Sequence, residues 1–452
     1  MPSAKYILKR IAALIILSVP ITVQGQTKWT LEQCIDEAIK NNLTVAQIQT
    51  NNETNKIAIF DAQGNRIPTL NTSGSQNFQM GRSIDPSTNQ FEQLNYHTNT
   101  FSLTSGLTLF NGFQNLNTVK QARMNFQSGV YDIAKAKNDV ALSITAGYLQ
   151  VLLGYEQAEN YTKQVQYSQA IVEKTQKQID AGSLAEVNIY TVKSQLATDN
   201  YNLTNAQSLL MMYKVNLQQL MNLPVSDSFE IDRPIFSDII NTDTALTKEQ
   251  VYEEALIHQP QIKSYSLKSQ SSLVGLRIAR GAAIPRLTFN SSVSTNYSST
   301  AKLGTPLNPL PYPFTEQLKN RLGETFSFNL IVPILNNFNI RANIMQAKVN
   351  MKLAQINEDN QKLTLRKSIE QAYADYKASF ARYRSSKDQF AAWEKSYQIA
   401  VRKVELGAFS STDFLLDKNN YVQGQSIMVQ TKYDLIFKTM IINFYQGKPL
   451  TF

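Results

Sequence analysis

The sequence predicts a mostly α-helical protein with a few long β-strands, in which one structural unit occurs twice in tandem. Three observations predict this fold class: a sequence repeat, stretches in which apolar and polar residues alternate, and helical stretches of about 70 residues without proline. The chain has 452 residues, of which 42% are apolar, so it can bury a substantial core.

The repeat is clearest at the motif Ile-Pro-x-Leu. It occurs around Pro68 and again 217 positions later around Pro285. Upstream of each proline, LEQCIDEAIKNN from Leu31 aligns with KEQVYEEALIHQ from Lys248 at the same offset. Later matches keep their order at an offset of 225, which a longer loop in the second copy explains. We interpret the pattern as a tandem duplication of a unit of about 220 residues.

The repeat defines the predicted domains. Residues 26–223 form the first structural repeat, 224–246 an equatorial linker, and 247–452 the second repeat. Residues 1–25 have the layout of a secretory signal peptide, because a basic start precedes the apolar stretch IAALIILSVPI and small residues follow. That stretch of about 11 residues is too short for a membrane-spanning helix, which needs roughly 20. We therefore predict an exported chain.

The sequence lacks the spacing of a catalytic or metal site. The histidines His97 and His258 do not have metal-ligand spacing, and the single cysteine, Cys34, allows no internal disulfide. There is no phosphate-binding loop, nucleophile elbow or zinc-peptidase motif. The basic residues are spread among acids along predicted helices, which argues against nucleic-acid binding. The sequence predicts no enzyme, no cofactor and no metal.

Each unit is predicted to begin with an amphipathic helix, from Leu31 to about Ala62 and from Lys248 to about Arg280. Pro68 and Pro285 then mark the boundary between helix and strand. Proline biases the residue before it away from the α region, so the helix ends and the chain becomes extended.

The extended stretches alternate at a period of two. Apolar and polar residues alternate from Phe101 to Leu109, from Leu287 to Tyr297 and from Phe326 to Ile334. Stretches of about ten residues with this pattern are typical of transmembrane strands, although half-buried strands of a soluble sandwich look the same. The signal peptide, the aromatic residues near the strand ends and the long helices favour the membrane.

Four strands per chain cannot form a lipid-exposed sheet alone, because the unpaired edges would have no hydrogen-bond partners. Spanning barrels begin at about eight strands, so we expect a barrel shared between chains. Two chains or three would suffice, and the residues alone leave both numbers open.

Long helices follow the strands, from Asn111 to Ala181 and from Asn336 to Leu406. A helix of about 70 residues would be roughly 105 Å long, which exceeds any globular core. Continuing from a shared barrel, such helices would form the wall of a tube.

Each long helix is predicted to end at a glycine, Gly182 or Gly407, which suits the left-handed C′ position. Ser183 with Glu186 then fits a capping box, and Ser410 begins a weaker one with an aspartate three residues later. The next helix therefore folds back, so that each unit contains an antiparallel helical hairpin.

These features together resemble the TolC-type outer-membrane efflux channels, over about Trp29 to Pro449. The resemblance implies a homotrimer with a shared twelve-strand transmembrane β-barrel in the outer-membrane lipid and an α-barrel duct across the periplasm. It also implies docking to a periplasmic adaptor protein and to an inner-membrane pump or ABC transporter. The implied function is a passive exit duct of a tripartite efflux or type I secretion system.

In that family, acids after the second glycine ring the narrow periplasmic entrance, and the resemblance places Asp413 among them. Asp417 lies four residues on, hence on the same helical face. Three copies of each would form carboxylate rings like those of cation-selective pores. The alternative is that Asp413 caps its helix and Asp417 is a surface acid. Phe409 stands where relatives can have an arginine, and Asn188 replaces the aspartate of the first turn. We therefore expect Phe409 to occlude the entrance by packing if it faces the bore.

Two other functions fit parts of the pattern. One is a secreted or surface coiled-coil structural or adhesive protein whose strands form a soluble sheet. The other is a passive porin, against which the helical length argues. The sequence does not name the transported substrate.

Overall fold

The computed structural model describes residues 28–84, 89–93, 95–234, 247–305, 308–405 and 411–450. The predicted signal peptide at 1–25 lies outside the described residues, as do Gly407, Phe409 and Ser410 of the second helical turn. The described chain is mostly α-helical, as predicted.

The elements of the first half are α1 (Leu31–Asn41), α2 (Leu43–Gly64), β1 (Thr69–Gln79), β2 (Arg82–Ile84), β3 (Phe91–Gln93), β4 (Tyr96–Asn111), α3 (Gln114–Asp180) and α4 (Val187–Leu220). Those of the second half are α5 (Lys248–His258), α6 (Pro260–Gly281), β5 (Arg286–Ser298), β6 (Lys302–Thr305), β7 (Asn308–Pro311), α7 (Phe314–Asn320), β8 (Gly323–Ile331), α8 (Asn339–Glu405) and α9 (Ser411–Tyr445). The long helices α3 and α8 have 67 residues each.

The opening helix of each half is divided, so the prediction of one continuous helix is wrong in both places. Asn42 is extended between α1 and α2, with φ −76° and ψ 116°. Gln259 is extended between α5 and α6, because Pro260 disfavours the α region for the residue before it. A capping box starts α1, in which the Gln33 amide N–H donates to Thr30 Oγ1 (3.3 Å) and the Thr30 N–H donates to Gln33 Oε1 (3.1 Å).

The chain divides into two compact units, each drawn from both halves of the sequence. The helical unit comprises Met1–Asn42, Asn138–Val251 and Glu370–Phe452. The sheet unit comprises Leu43–Lys137 and Tyr252–Ile369. Among the residues described in either unit, no helix has the length and apolar character needed to cross a membrane.

The sheet unit contains an antiparallel sheet of four strands in the order β1-β4-β5-β8. Three of its helices follow the same order, since α2 contacts α3 around Ala62, Val119 and Ala122. On the other side of α3, the Gln121 side-chain amide donates to the Ser271 carbonyl of α6 (3.1 Å). The helices next to β1, β4 and β5 therefore pack side by side.

The junctions between strand and long helix have the same backbone conformation in both halves. Gly112 and Phe113 both have φ +63°, and 225 positions later Asn337 and Phe338 have φ +52° and +61°. A side chain at Gly112 would place a Cβ 2.3 Å from the Gly281 carbonyl oxygen, so this crossing needs glycine.

The core of the helical unit joins α1, α3, α4 and α9. Its fully buried side chains include Cys34, Ile144, Leu217 and Ile436. The buried Tyr148 hydroxyl lies 2.8 Å from the Asp232 carbonyl oxygen and 3.2 Å from that of Trp29. Both the start of the described chain and the segment after α4 are thereby held to this core.

Candidate functional site

The four-stranded sheet has one apolar face and one polar face. The register places Leu103 opposite Val293, and Phe289 opposite both Leu107 and Phe328. The residues on this apolar face include Leu70, Phe78, Phe101, Leu103, Leu107, Leu287, Phe289, Val293, Tyr297, Phe326, Phe328 and Leu330. The alternation predicted from the sequence thus places apolar residues from all four strands on one surface.

The polar face carries hydroxyl and amide side chains. Ser73, Ser102 and Ser294 lie side by side across three strands, and the Ser73 and Ser102 hydroxyls are 2.8 Å apart. Arg286, at the start of β5, is the only charged residue with this orientation in the four strands. This face suits contact with water.

The apolar face is exposed within the chain. Phe326, Phe328 and Leu330 of β8 are 66%, 69% and 66% exposed. The sheet also ends in two open edges, because β1 pairs only with β4, and β8 only with β5, among the described strands. An apolar surface and two free edges of this kind require a partner environment and partner strands.

An aromatic cluster lies at the end of the sheet away from the long helices. The His97 ring lies 5.9 Å from Phe78 and 5.6 Å from Tyr297, and Tyr297 lies 4.9 Å from Phe314 of α7. Aromatic rings at strand ends are typical of the interfacial girdle of membrane strands.

Helix α7 protects the part of β5 that extends beyond β8. The buried Gln317 side chain accepts a hydrogen bond from the Ser298 N–H (3.0 Å) and donates to the Ser298 carbonyl (3.1 Å). The Thr295 hydroxyl donates to the Leu318 carbonyl (2.6 Å). A side-chain amide thus takes the place of a neighbouring strand at this edge.

The turn between α3 and α4 has the predicted glycine geometry. Gly182 has φ +71°, its N–H bonds to Ile179 O, and the Ser183 N–H bonds to Gln178 O. These two bonds define a Schellman motif. The predicted capping box is wrong, because the Ser183 hydroxyl donates back to Gln178 O (2.8 Å) and Glu186 occupies the N-cap without a side-chain bond.

The predicted entrance residues differ in their environments. Asp413 is exposed in the first turn of α9. Asp417 is half-buried and accepts a hydrogen bond from the Ser396 hydroxyl of α8 (2.8 Å). The Asn188 side-chain amide donates to the Ala185 carbonyl of its own turn (3.0 Å). Asp417 therefore also joins the two helices of its hairpin.

A buried ion pair follows directly after Asp417, and the sequence reasoning missed it. The Lys418 amine bonds to the Asp199 carboxylate of α4 and lies 2.5 Å from the Ser168 hydroxyl of α3. The Ser168 hydroxyl also donates to Asp199, and the Gln195 amide donates to its other oxygen (2.9 Å). The Lys418 and Asp199 side chains are only 1% and 4% exposed.

Burial lowers the pKa of the Lys418 amine from its ordinary value, and the contact with Asp199 acts in the opposite direction. The lysine stands on a helical stripe, four residues after the buried Phe414 and three before the partly buried Tyr421. This spacing is the signal that could have identified Lys418 as buried.

Further ion pairs join α9 to both of its long neighbours. Lys432 contacts Glu156 of α3 (2.6 Å), and Lys438 contacts Asp375 of α8 (2.9 Å). Asp434 accepts from Arg382 of α8 (2.8 Å). Polar contacts along α9 thus fix its position against α3 and α8.

The described residues offer no cluster of three or more histidine, cysteine, aspartate or glutamate side chains that could hold a metal ion. The features that remain for function are the two-faced sheet and the helical turns with their acids.

Comparison with known proteins places these features in context. The family model described as "Outer membrane efflux protein" matches residues 34–223 and 251–436. The chain is 20% identical over 413 residues to toxin and drug export protein A of Aggregatibacter actinomycetemcomitans, covering 90% of this chain and 83% of the relative. It is 22% identical over 186 residues to outer membrane protein TolC of Salmonella enteritidis, covering 41% and 38%.

The fold is also similar to a solved one. The structure of the outer membrane protein VceC from Vibrio cholerae matches with a TM-score of 0.75 at 14% identity. The match covers 93% of this chain and 96% of that protein.

Proposed function

The chain belongs to the outer membrane efflux protein family, and from this premise we propose how its sheet and helices form an export channel. Membership confirms the resemblance to TolC-type channels that the sequence predicted. The protein is accordingly an outer-membrane efflux channel component and not an enzyme.

The proposed channel is a homotrimer. Each chain contributes four strands, and β8 of one chain pairs with β1 of the next, so that twelve strands close without a free edge. The apolar face then contacts lipid and the polar face lines the pore. The observation that carries this proposal is the division of the sheet into one apolar and one polar face, both exposed in the single chain.

The long helices form an α-helical duct in the periplasm, to which the chain is exported by its signal peptide. The domain organisation is a tandem duplication, with repeats at 26–223 and 247–452 and the linker at 224–246. Support comes from an element order that matches except for α7, and from junctions with similar backbone angles 225 positions apart.

The duct docks to a periplasmic adaptor and an inner-membrane pump or ABC transporter, in a tripartite efflux or type I secretion system. Those partners supply the energy and select the substrate. At the narrow end, carboxylates of Asp413 and Asp417 from three chains attract cations, and Phe409 narrows the opening by packing.

Planar-bilayer conductance of the detergent-purified native oligomer tests the channel. We expect discrete, small, cation-selective steps, because the narrow acidic entrance limits the current. Folded oligomer that never inserts would contradict the channel and favour an adhesive surface protein. Wide, permanently open pores would instead favour a passive porin.

A pair of lysine substitutions tests which face of the sheet contacts lipid. Phe328→Lys places a charge on the apolar face and should cost about 2–4 kcal/mol near the middle of the membrane. Ser327→Lys, one residue away on the polar face, is the matched control and should still assemble. The readout is the yield of oligomer in the outer membrane, and equal loss in both variants would contradict the proposed orientation.

A further inference from the structure

The sheet unit carries an uneven distribution of charge. Residues 62–84, 93–131, 255–315 and 325–357 contain no aspartate or glutamate. These segments include β1, β4 and β5, all of β8 except its first two residues, of which Glu324 is acidic, and the parts of α2, α3, α6 and α8 next to the strands. The basic residues of the helices near the helix–strand junctions, which we call the basic collar, are Arg66, Lys120, Arg123, Arg277, Arg280, Arg341 and Lys348.

The collar has no counter-charges of its own. All seven side chains are exposed, and none forms an ion pair within the part of the chain that the structure describes. In the helical unit, by contrast, Lys418, Lys432 and Lys438 each contact a carboxylate. Seven unpaired cations near the junctions attract anions from outside the chain.

The collar cations lie beyond a band of exposed apolar side chains. On α3, Lys120 follows Leu116 by one turn, and both Leu116 and Phe113 are at least half exposed. At the start of α8, the exposed Phe338 precedes Arg341. Helical side chains point toward the N-terminus, so the cations of these two helices lean toward the sheet. Apolar residues followed by basic ones along the same chain are typical of a membrane–water interface.

The packing of α3 leaves its collar residues available. This helix contacts α2 through Val119 and Ala122, and α6 through Gln121. Lys120 and Arg123 take part in neither contact and are exposed. At a rise of 1.5 Å per residue, both lie within about 15 Å of the start of the helix. Their long side chains can reach part of that distance back toward the sheet.

We propose that the basic collar binds the phosphate groups of anionic phospholipids in the membrane leaflet nearest the long helices. This inference rests on the proposed placement of the apolar sheet face in lipid. A lipid surface fits better than another occupant, because the cations occur beside every strand of the sheet and continue its apolar face. Basic residues next to a membrane segment attract anionic lipid in this way.

Lipid binding by the delipidated native oligomer tests the proposal. Phosphatidylglycerol and phosphatidylcholine are titrated in separate experiments, and bound lipid is counted by mass spectrometry of the intact oligomer. We expect preference for phosphatidylglycerol and a loss of about fivefold in its affinity for each collar cation removed near the surface. The test variant is Lys120→Gln with Arg123→Gln. The control is Lys177→Gln with Lys193→Gln, two exposed cations of the helical unit.

Each outcome bears on the proposal. Weaker phosphatidylglycerol binding in the collar variant alone, with unchanged phosphatidylcholine binding, supports it. Equal binding by wild type and collar variant, or equal loss in the control, overturns it. Displacement of the lipid by inorganic phosphate at the same concentration would reveal a simple anion site and also overturn it. Bilayer insertion of the same preparation is measured in parallel, so a channel that inserts without lipid preference refutes only this inference.

Discussion

Replacing Lys418 tests how the helical hairpins are held together. The lysine belongs to α9, while its partners Asp199 and Ser168 belong to α4 and α3. Lys418→Met keeps a long unbranched side chain but leaves the Asp199 carboxylate buried without a cation. Breaking a buried pair in this way costs about 3–5 kcal/mol.

Replacing the other member of the ion pair, Asp199, should destabilise the protein less. In Asp199→Leu the remaining Lys418 amine can release its proton, because burial already lowers its pKa. Combining Lys418→Met with Asp199→Leu removes both charges, and such replacements are often neutral or stabilising. The Ser168 hydroxyl then loses its partners, at about 1–3 kcal/mol, and the half-buried Gln195 amide loses its bond to Asp199. The double variant should therefore be more stable than Lys418→Met alone.

Hydrogen exchange of the native oligomer measures this effect locally. The amides around Lys418 and Asp199 should exchange about 100-fold faster in Lys418→Met, since a loss of about 3 kcal/mol corresponds to roughly two factors of ten. The double variant should recover most of the protection. Changes of less than about threefold in both single variants, or effects that simply add, would refute the reasoning.

Three further predictions concern single residues. Gly182→Ala should destabilise the turn by about 1–2 kcal/mol, because φ is +71°, whereas Gly182→Asn should be milder; thermal melts of both variants check this. Burial raises the pKa of the Cys34 thiol to about 12 from about 9, so maleimide should react only after unfolding. As pH rises, the Cys34 thiol ionises in the unfolded chain before it does in the folded chain, so its contribution to stability falls between pH 9 and 12. Denaturation of the wild type and of Cys34→Ala, compared over this pH range, would measure the loss. Asp413→Ala should weaken the cation selectivity of the pore, and an unchanged reversal potential in a salt gradient would contradict that.

The sequence predicted the features that depend on local chemistry. Pro68 and Pro285 mark the change from helix to strand, since β1 begins at Thr69 and β5 at Arg286. Gly182 adopts the left-handed conformation that ends α3, which glycine adopts without strain. The alternation of apolar and polar residues along each strand is retained in the sheet, because the register places the apolar residues of neighbouring strands on the same face. Such signals involve a few adjacent residues, so they can be recognised without knowledge of the fold.

The features that were missed depend on distant residues or competing local bonds. Burial of Lys418 requires Asp199 and Ser168, which lie more than 200 positions earlier in the chain. Ser183 fits a capping box by spacing, but its hydroxyl bonds to the helix before it instead. Helix α7 follows a proline-rich loop. Its Gln317 bonds the backbone of Ser298, and this contact depends on the unpaired end of β5, which only the folded sheet reveals.

The most direct test of the account is a spin-label scan of β8 in the reconstituted oligomer. Labels replace residues 324–330 one at a time in a Cys34→Ala background, since Cys34 is the only cysteine. We predict that collisions with oxygen, which dissolves in lipid, peak at Phe326, Phe328 and Leu330. Collisions with a water-soluble nickel complex should peak at the residues between them. Uniform accessibility, or the opposite phase, would contradict a sheet with its apolar face in the membrane.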